Sequence, residues 1–348
     1  SQKEGKMKFD FVIGNPPYQE QTIGDNKGFA PPVYDKFIDG AMAISDKVEL
    51  IHPARFLFNA GSTPKAWNEK MLDNSHFKVL RYEENASNIF SNTDIKGGVA
   101  ISYYDKSQNF GKIGVFTKHK GLNGILKKVY SKDKFTSLTS IIHTQTKFDL
   151  DKLYADYPDA KNIIGSGGAD KRLRNNIFEK IELFTDAKTS RTDVAILGVE
   201  KNKRTTKYIH QKYIDQTHGN LNDWKVLVVR VNGSGEFGGV LSTPFLSKPH
   251  EGYTQTYIGI GAFENAQQAE NALKYVKTKF CRAMLSILKV TQDNSRDTWK
   301  YVPLEDFSSN GEINWGVDVS TVDRQLYKKY GLTEGEISFI EANVKEME

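Results

Sequence analysis

The chain has a single cysteine, Cys281, among its 348 residues. One thiol makes no internal disulfide and no cysteine-based metal cluster. Its seven histidines fall in no His-x-x-x-His or comparable ligand spacing. No apolar run approaches the roughly 18 residues of a membrane helix, and no secretory leader opens the sequence. A soluble, cytoplasmic protein without a membrane partner is expected. Charge of one sign is barely in excess: 48 Lys and Arg stand against 43 Asp and Glu, for a net +5. That balance permits a polyanionic partner without demanding one. There is no internal repeat and no low-complexity tract. The opening residues, "SQKEGKMK", are polar and begin with Ser1, which reads as a cut into a longer parent.

What is present is unevenly distributed. Basic residues gather at 118–134, 171–174 and 200–207, runs that by default are solvated faces. Early in the chain, apolar segments alternate with amphipathic ones. Residues 8–13 predict a buried strand, and 31–45 a helix opened by proline with Val33, Phe37, Ile38, Ala41 and Ile44 on one stripe. A second strand follows at 47–53. Residues 63–74 predict a helix capped by Thr63, and a third strand follows at 77–84. Residues 97–106 and 112–118 look like a hairpin. This alternation indicates an α/β fold, a doubly wound sheet turning antiparallel at its end. Three parallel strands are too few for an open sheet covered on both faces, so half of it is expected elsewhere. After 190 come short strands separated by glycine-rich turns. A long helix is expected over 265–290, and a last one opens on the capping-box pair Thr333 and Glu336.

The most informative stretch is "FDFVIGNPPYQE" (9–20). Pro16 and Pro17 make a rigid bend at the carboxyl end of a strand, where open α/β sheets place their ligands. There the Asn15 side-chain oxygen and the Pro16 carbonyl can accept both hydrogens of an exocyclic amine. Such an amine is a poor nucleophile because its lone pair is delocalised into the ring. Two acceptors favour a more tetrahedral nitrogen and return that pair for attack. Tyr18 offers a stacking face, worth about 1–3 kcal/mol per base. The four residues therefore suit amine methylation without a metal. On their own they are also consistent with a proline turn that does no chemistry.

"FDFVIGNPPY" resembles the catalytic motif of the N6-adenine-specific DNA methyltransferases of restriction–modification systems. "VYDKFIDGAM", "VELIHPARFLF" and "NIFSNTDIKGGVAISYYDK" resemble the segments that follow it, and Phe90 matches the aromatic that packs on the flipped adenine. "WKVLVVRVNGSGEFGGVLSTPFLSKP", "ALKYVKTKFCRAML", "TWKYVPLEDF" and "LYKKYGLTEGEISFIEANVK" resemble the C-terminal specificity domain of the gamma, TaqI-type and combined restriction–methylase enzymes. The resemblance implies S-adenosylmethionine as donor and double-stranded DNA as partner. The adenine would be flipped out of the stack, because its amine cannot be reached inside a duplex. Asn15, Pro16, Pro17 and Tyr18, with Phe90, would form the catalytic set.

The family's donor-binding glycine turn and ribose-binding acid lie upstream of this motif, and only 14 residues precede Asn15 here. A downstream match, Gly233-x-Gly235-x-x-Gly238, follows a strand but precedes two prolines instead of a helix, so a glycine-rich hairpin is expected there. The expectation is thus the C-terminal half of a methyltransferase sheet over 1–145 and an α+β target-recognition domain over 146–348. A missing N-terminal segment or partner chain would complete the sheet, and the chain alone would neither bind donor well nor turn over. Lys201, Lys203, Arg204, Arg230, Asn232, Ser234 and Lys248 are the candidate DNA contacts. Two alternatives stay open: a non-catalytic DNA-sequence-recognition module, and a methyltransferase acting on a protein or RNA amine.

Overall fold

The computed structural model of the chain describes residues 9–20, 30–58, 61–91, 95, 97–130, 135–217, 219–231, 236–289 and 292–347. The chain is mixed α/β, with three sheets among the described residues. It divides into two compact units, Ser1–Asn123 and Gly124–Glu348.

The first unit is a four-stranded sheet built from β1 (Val12–Gly14), α1 (Tyr34–Ile44), β2 (Lys47–Pro53), α2 (Lys65–Leu72), β3 (Phe77–Glu83) and β4 (Val99–Asp105). Its strand order is β1-β2-β4-β3. β1 lies parallel to β2, with Gly14 opposite Leu50. β4 runs antiparallel to both its neighbours, pairing Leu50 with Ser102 and Phe77 with Tyr104. Strand alternation sorts the side chains between the two faces. Val48 and Leu50 face α1 and α2 and are buried with Ile38, Ala41, Phe56, Met71 and Phe77. Residues one place out of step point to the opposite face.

That opposite face overturns one expectation. The first strand was expected to be buried, yet Phe9, Phe11 and Ile13 are 47%, 44% and 73% exposed. β1 is an edge strand, and no described element covers the face carrying Phe11 and Ile13. Phe11 stacks instead on Tyr103 of β4 at 6.3 Å between ring centres. Three smaller corrections follow, each with its own cause. Residues 112–118 form no strand; β4 inserts between β2 and β3, which takes up the edge a hairpin partner would have needed. Thr63 does not cap α2, because its hydroxyl donates to the Asn68 side chain at 2.7 Å. Phe37 leaves the predicted core stripe of α1, which buries Tyr34, Asp35, Ile38 and Ala41 instead.

The second unit follows α3 (Lys120–Tyr130), β5 (Ile142–His143), α4 (Leu150–Asp156), α5 (Ala160–Ile164), α6 (Ile177–Lys180), β6 (Asp193–Glu200), β7 (Lys203–His210), β8 (Trp224–Val229), β9 (Phe245–Ser247), β10 (Glu251–Tyr253), β11 (Tyr257–Phe263), α7 (Ala266–Lys277), α8 (Lys279–Leu285), α9 (Val319–Lys329) and α10 (Glu334–Asn343). One sheet is β10-β6-β7 and the other β5-β11-β8-β9. The units divide earlier in the chain than 145/146. The cause is α3, whose Gly124 packs so closely on Glu336 that a Cβ would meet its Oε1 at 2.5 Å. Lys128 fastens the same helix with a 2.5 Å ion pair to Glu336.

The helix expected over 265–290 is two helices broken at Thr278. The Thr278 hydroxyl accepts from the Cys281 N–H at 3.1 Å and donates to the Tyr275 carbonyl at 2.7 Å, so it ends one helix and caps the next. Asp323 of α9 takes the Lys279 and Phe280 N–H groups at 2.9 and 2.8 Å. The capping box of Thr333 and Glu336 at the start of α10 forms as expected.

Candidate active site

The carboxyl ends of β1, β2 and β3 point the same way, and three loops rise from them. The first carries Asn15, Pro16, Pro17 and Tyr18. It is held by backbone bonds from Glu20 N–H to the Pro31 carbonyl (3.0 Å) and from Val33 N–H to the Tyr18 carbonyl (3.2 Å). The second runs from Pro53 through a 3-10 turn, Arg55–Phe58. The third, after β3, carries Phe90, whose N–H donates to the Ala86 carbonyl at 2.9 Å. Ala54 N–H to the Gly98 carbonyl, at 3.0 Å, ties the second loop to the third.

Asn15 and Pro17 are exposed, and Pro16 and Tyr18 are half-buried. Burial raises the Tyr18 phenol above its ordinary pKa, and the neighbouring Asn15 side chain works against that shift. The phenol oxygen is nonetheless buried without a hydrogen-bond partner among the described residues. The Asn15 amide therefore lies beside it outside bonding geometry. Asp35 Oδ1, two residues beyond the Val33 that anchors Tyr18, is a second buried oxygen with no partner among the described residues. Phe90 is half-buried. Among the described residues neither its ring nor that of Tyr18 stacks on another ring. The two rings stand on separate loops at one end of the sheet and do not touch.

Beside Asn15, between the open edge of β1 and α1, lies a cavity of about 530 Å³. Ile13, Asn15 and Pro16 line its strand side, and Phe37, Gly40 and Ile44 its helix side. α1 thus has two apolar faces, one in the core and one on the cavity. The sequence carried the signal: Phe37, Gly40 and Ile44 recur at helical spacing beside Ile38 and Ala41, which widens the apolar stripe of a helix whose polar residues are Asp35, Lys36 and Asp39. Under the loops, His52 is fully buried, with Nε2 2.8 Å from Ser102 Oγ and Nδ1 3.0 Å from the Pro53 carbonyl. Burial lowers its pKa to about 4, keeping it neutral.

Residues 1–90, which carry these first two loops, match the family model for the Eco57I restriction-modification methylase. Over this stretch the chain is similar to the N6-adenine methylases of restriction–modification systems. An uncharacterized adenine-specific methylase of Mycoplasma pneumoniae is 31% identical over 117 residues, 33% of this chain and 27% of that protein. The chain therefore spans about a quarter of that relative's length. Among solved structures, the Type IIL restriction-modification enzyme MmeI in complex with DNA is 10% identical with a TM-score of 0.35, covering 96% of this chain and 56% of that one. The type IIG restriction endonuclease BpuSI is 8% identical with a TM-score of 0.30, covering 93% and 49%. At such scores neither likeness places the fold.

The methylase match ends before the second unit, where the candidate DNA contacts lie. Strand register sorts them. Lys201 and Asn202 form the β6–β7 turn with φ of 48° and 62°, and the Lys201 N–H donates to Glu179 of α6 at 2.9 Å. Lys203 and Arg204 follow, both exposed. Arg204 is close enough to the Tyr257 phenol to oppose the rise that burial causes in its pKa. The Arg230 N–H donates to the Thr256 carbonyl at 2.9 Å, and its side chain pairs with Asp293 at 3.3 Å. These four cations share one rim. Lys248 does not: it follows Ser247, which pairs with Lys225 at the other end of β8, about 15–20 Å away at strand rise. Asn232 and Ser234 lie outside the described residues, as do Gly233 and Gly235. Gly238 is described. Its N–H donates to Ser286 Oγ at 3.0 Å, and no helix begins anywhere in 236–250. The rim also gains Gln255, whose N–H donates to the Leu173 carbonyl at 2.8 Å, bringing "KRLR" (171–174) beside it. No sequence spacing links 173, 204, 230 and 255; only the sheet register does.

Among the described residues no helix is long and apolar enough to cross a membrane.

Proposed function

We propose that this chain carries the target-base and DNA-reading parts of a DNA adenine-N6 methyltransferase of a restriction–modification system. The observation that carries the reading is the placement of Asn15, Pro16 and Tyr18 at the carboxyl end of an edge parallel strand, beside an apolar cavity. In this reading Asn15 Oδ1 and the Pro16 carbonyl accept the two amine hydrogens of an extrahelical adenine. The nitrogen lone pair is thereby freed for attack on an electrophilic methyl group. Tyr18 lies on one face of the base and Phe90 on the other. The Tyr18 oxygen and Asp35 Oδ1, without partners among the described residues, suit a polar ligand that satisfies them.

S-adenosylmethionine is the donor that the resemblance implies. The described residues do not by themselves fit it. The cavity lining holds no carboxylate for a ribose, and no glycine-rich turn leads from a strand into a helix at this site. Donor binding then falls to further polypeptide pairing with β1. The open strand edge and the uncovered face bearing Phe11 and Ile13 support that reading, since parallel strands are ordinarily buried on both faces. In the second unit, Lys201, Lys203, Arg204 and Arg230 would contact phosphates of duplex DNA. Asn232 and Ser234 remain proposed contacts, and Lys248 would belong to a different part of the surface.

The test pairs calorimetric titration of S-adenosylmethionine into the chain with a gel shift on duplex DNA. DNA binding without donor binding is expected. Donor binding by the chain alone would overturn the division of the sheet. Absence of DNA binding would favour a protein or RNA amine as substrate.

A further inference from the structure

Arg55 stands on the second loop, which follows β2, the strand between β1 and β4, and it packs on the loop carrying Phe90. Its aliphatic stem is packed between two glycines from different segments. A Cβ on Gly97 would come within 2.8 Å of Arg55 Cγ, and one on Gly61 within 3.1 Å of Arg55 Cβ. Both glycines have φ near +90° (90° at Gly61 and 89° at Gly97), a backbone that other residues rarely adopt. Two positions thus combine close approach with left-handed geometry, and both do so against one arginine. The guanidinium is placed as well. Its charge reaches the phenol of Tyr34, the first residue of α1, which directly follows the Val33 that bonds Tyr18. Arg55 is exposed overall. Holding a long stem in place lessens the rotamer entropy lost when its head binds.

We propose that Arg55 grips a backbone phosphate of the nucleotide whose base enters the Asn15–Tyr18 cleft. The proposal rests on the adenine-clamp reading and adds a residue to it. A nucleotide swung out of a duplex brings its phosphates to the rim of the pocket that takes its base. Contacts to those phosphates fix register without reading sequence. Arginine suits the task because its planar, permanently charged fork matches two phosphate oxygens at once. Arg55 is accordingly a positioning residue for the target nucleotide.

The experiment titrates the whole chain with short duplexes holding 2-aminopurine opposite an abasic site, so that the base is already unpaired. Matched duplexes carry a neutral methylphosphonate in place of the phosphate on either side of that base. The R55M variant keeps the packed stem and removes the charge, and thermal melting verifies its fold. R55M is expected to bind the fully charged DNA about 10-fold more weakly or worse, with the slope of log K against log salt falling by about 0.9. On one of the two neutral linkages it should bind as wild type does, because the partner is already gone. Equal affinity of R55M and wild type on charged DNA would overturn the proposal. So would an undiminished R55M loss on both neutral linkages. Y18A separates the underlying reading: if it still prefers the unpaired purine, the clamp is wrong, whatever Arg55 does.

Discussion

The Asn15 side chain lies against the phenol of Tyr18 without bonding it, across a bend stiffened by Pro16 and Pro17. An amide acceptor and an aromatic face are thus presented to one small volume with neither consumed by the other. Truncating the ring removes the face and leaves the acceptor. Y18A is expected to weaken binding of DNA with an unpaired purine by about 1–3 kcal/mol, read by 2-aminopurine fluorescence. Y18F keeps the face and should lose less than Y18A.

The uncovered face of the first sheet predicts an unusual tolerance. Ile13 is 73% exposed within an apolar strand. I13K is expected to change unfolding stability by no more than about 0.5 kcal/mol. It should also lower self-association, measured by sedimentation velocity, by breaking an exposed apolar patch. V48A, on the buried side of the neighbouring strand, should cost about 1–3 kcal/mol. Equal destabilisation by both would mean the Ile13 face is covered.

His52 makes the first unit sensitive to acid. Its folded pKa is lowered to about 4, below the ordinary 6.5, because burial disfavours the charged ring. Between those values the unfolded chain binds more protons, so stability rises with pH there. The contribution is complete above pH 6.5 and is lost as the pH falls toward 4. Over that window it amounts to about 3 kcal/mol. The wild-type and H52N stabilities, compared by denaturant titration at several pH values, should differ in slope across this window and run parallel above it.

The junction of α7 and α8 depends on Thr278. T278A leaves the Cys281 N–H without its acceptor and should cost about 1–2 kcal/mol of stability. T278S should recover most of this, since it restores the hydroxyl. Thermal melting of the three proteins checks the order.

DNA affinity should divide the basic candidates as the register does. Neutralising Lys201, Lys203, Arg204 and Arg230 together should lower the salt slope by about 0.9 for each phosphate that no longer meets a cation. K248A should leave the slope unchanged, because Lys248 lies at the far end of β8.

Much of the first unit was legible because its segments follow one local rule. The span 47–53 matches β2 residue for residue, since Val48, Leu50 and His52 alternate into the core. The Thr333–Glu336 box was legible for the same reason: its whole geometry lies within one turn. What escaped was non-local. Nothing near Phe11 announces that its far side is uncovered, because burial depends on neighbours the local pattern does not name. The break at Thr278 was hidden by an apolar stripe that runs through it unbroken, though the decisive acceptors include Asp323 on a distant helix. Asn15 and Tyr18 stand in one contiguous motif, whereas Arg55 needed the two glycines that only the fold brings to its stem.

The edge of β1 that no described strand pairs also governs how this polypeptide fares when it is made in quantity. An unpaired strand offers its N–H and C=O groups to any extended chain it meets. Recovery of correctly folded molecules then becomes a race between collisions, with dilute, slow synthesis favoured over fast. Co-production of a complementary strand and helix would turn that race into an assembly reaction, with yield following the ratio of the two polypeptides.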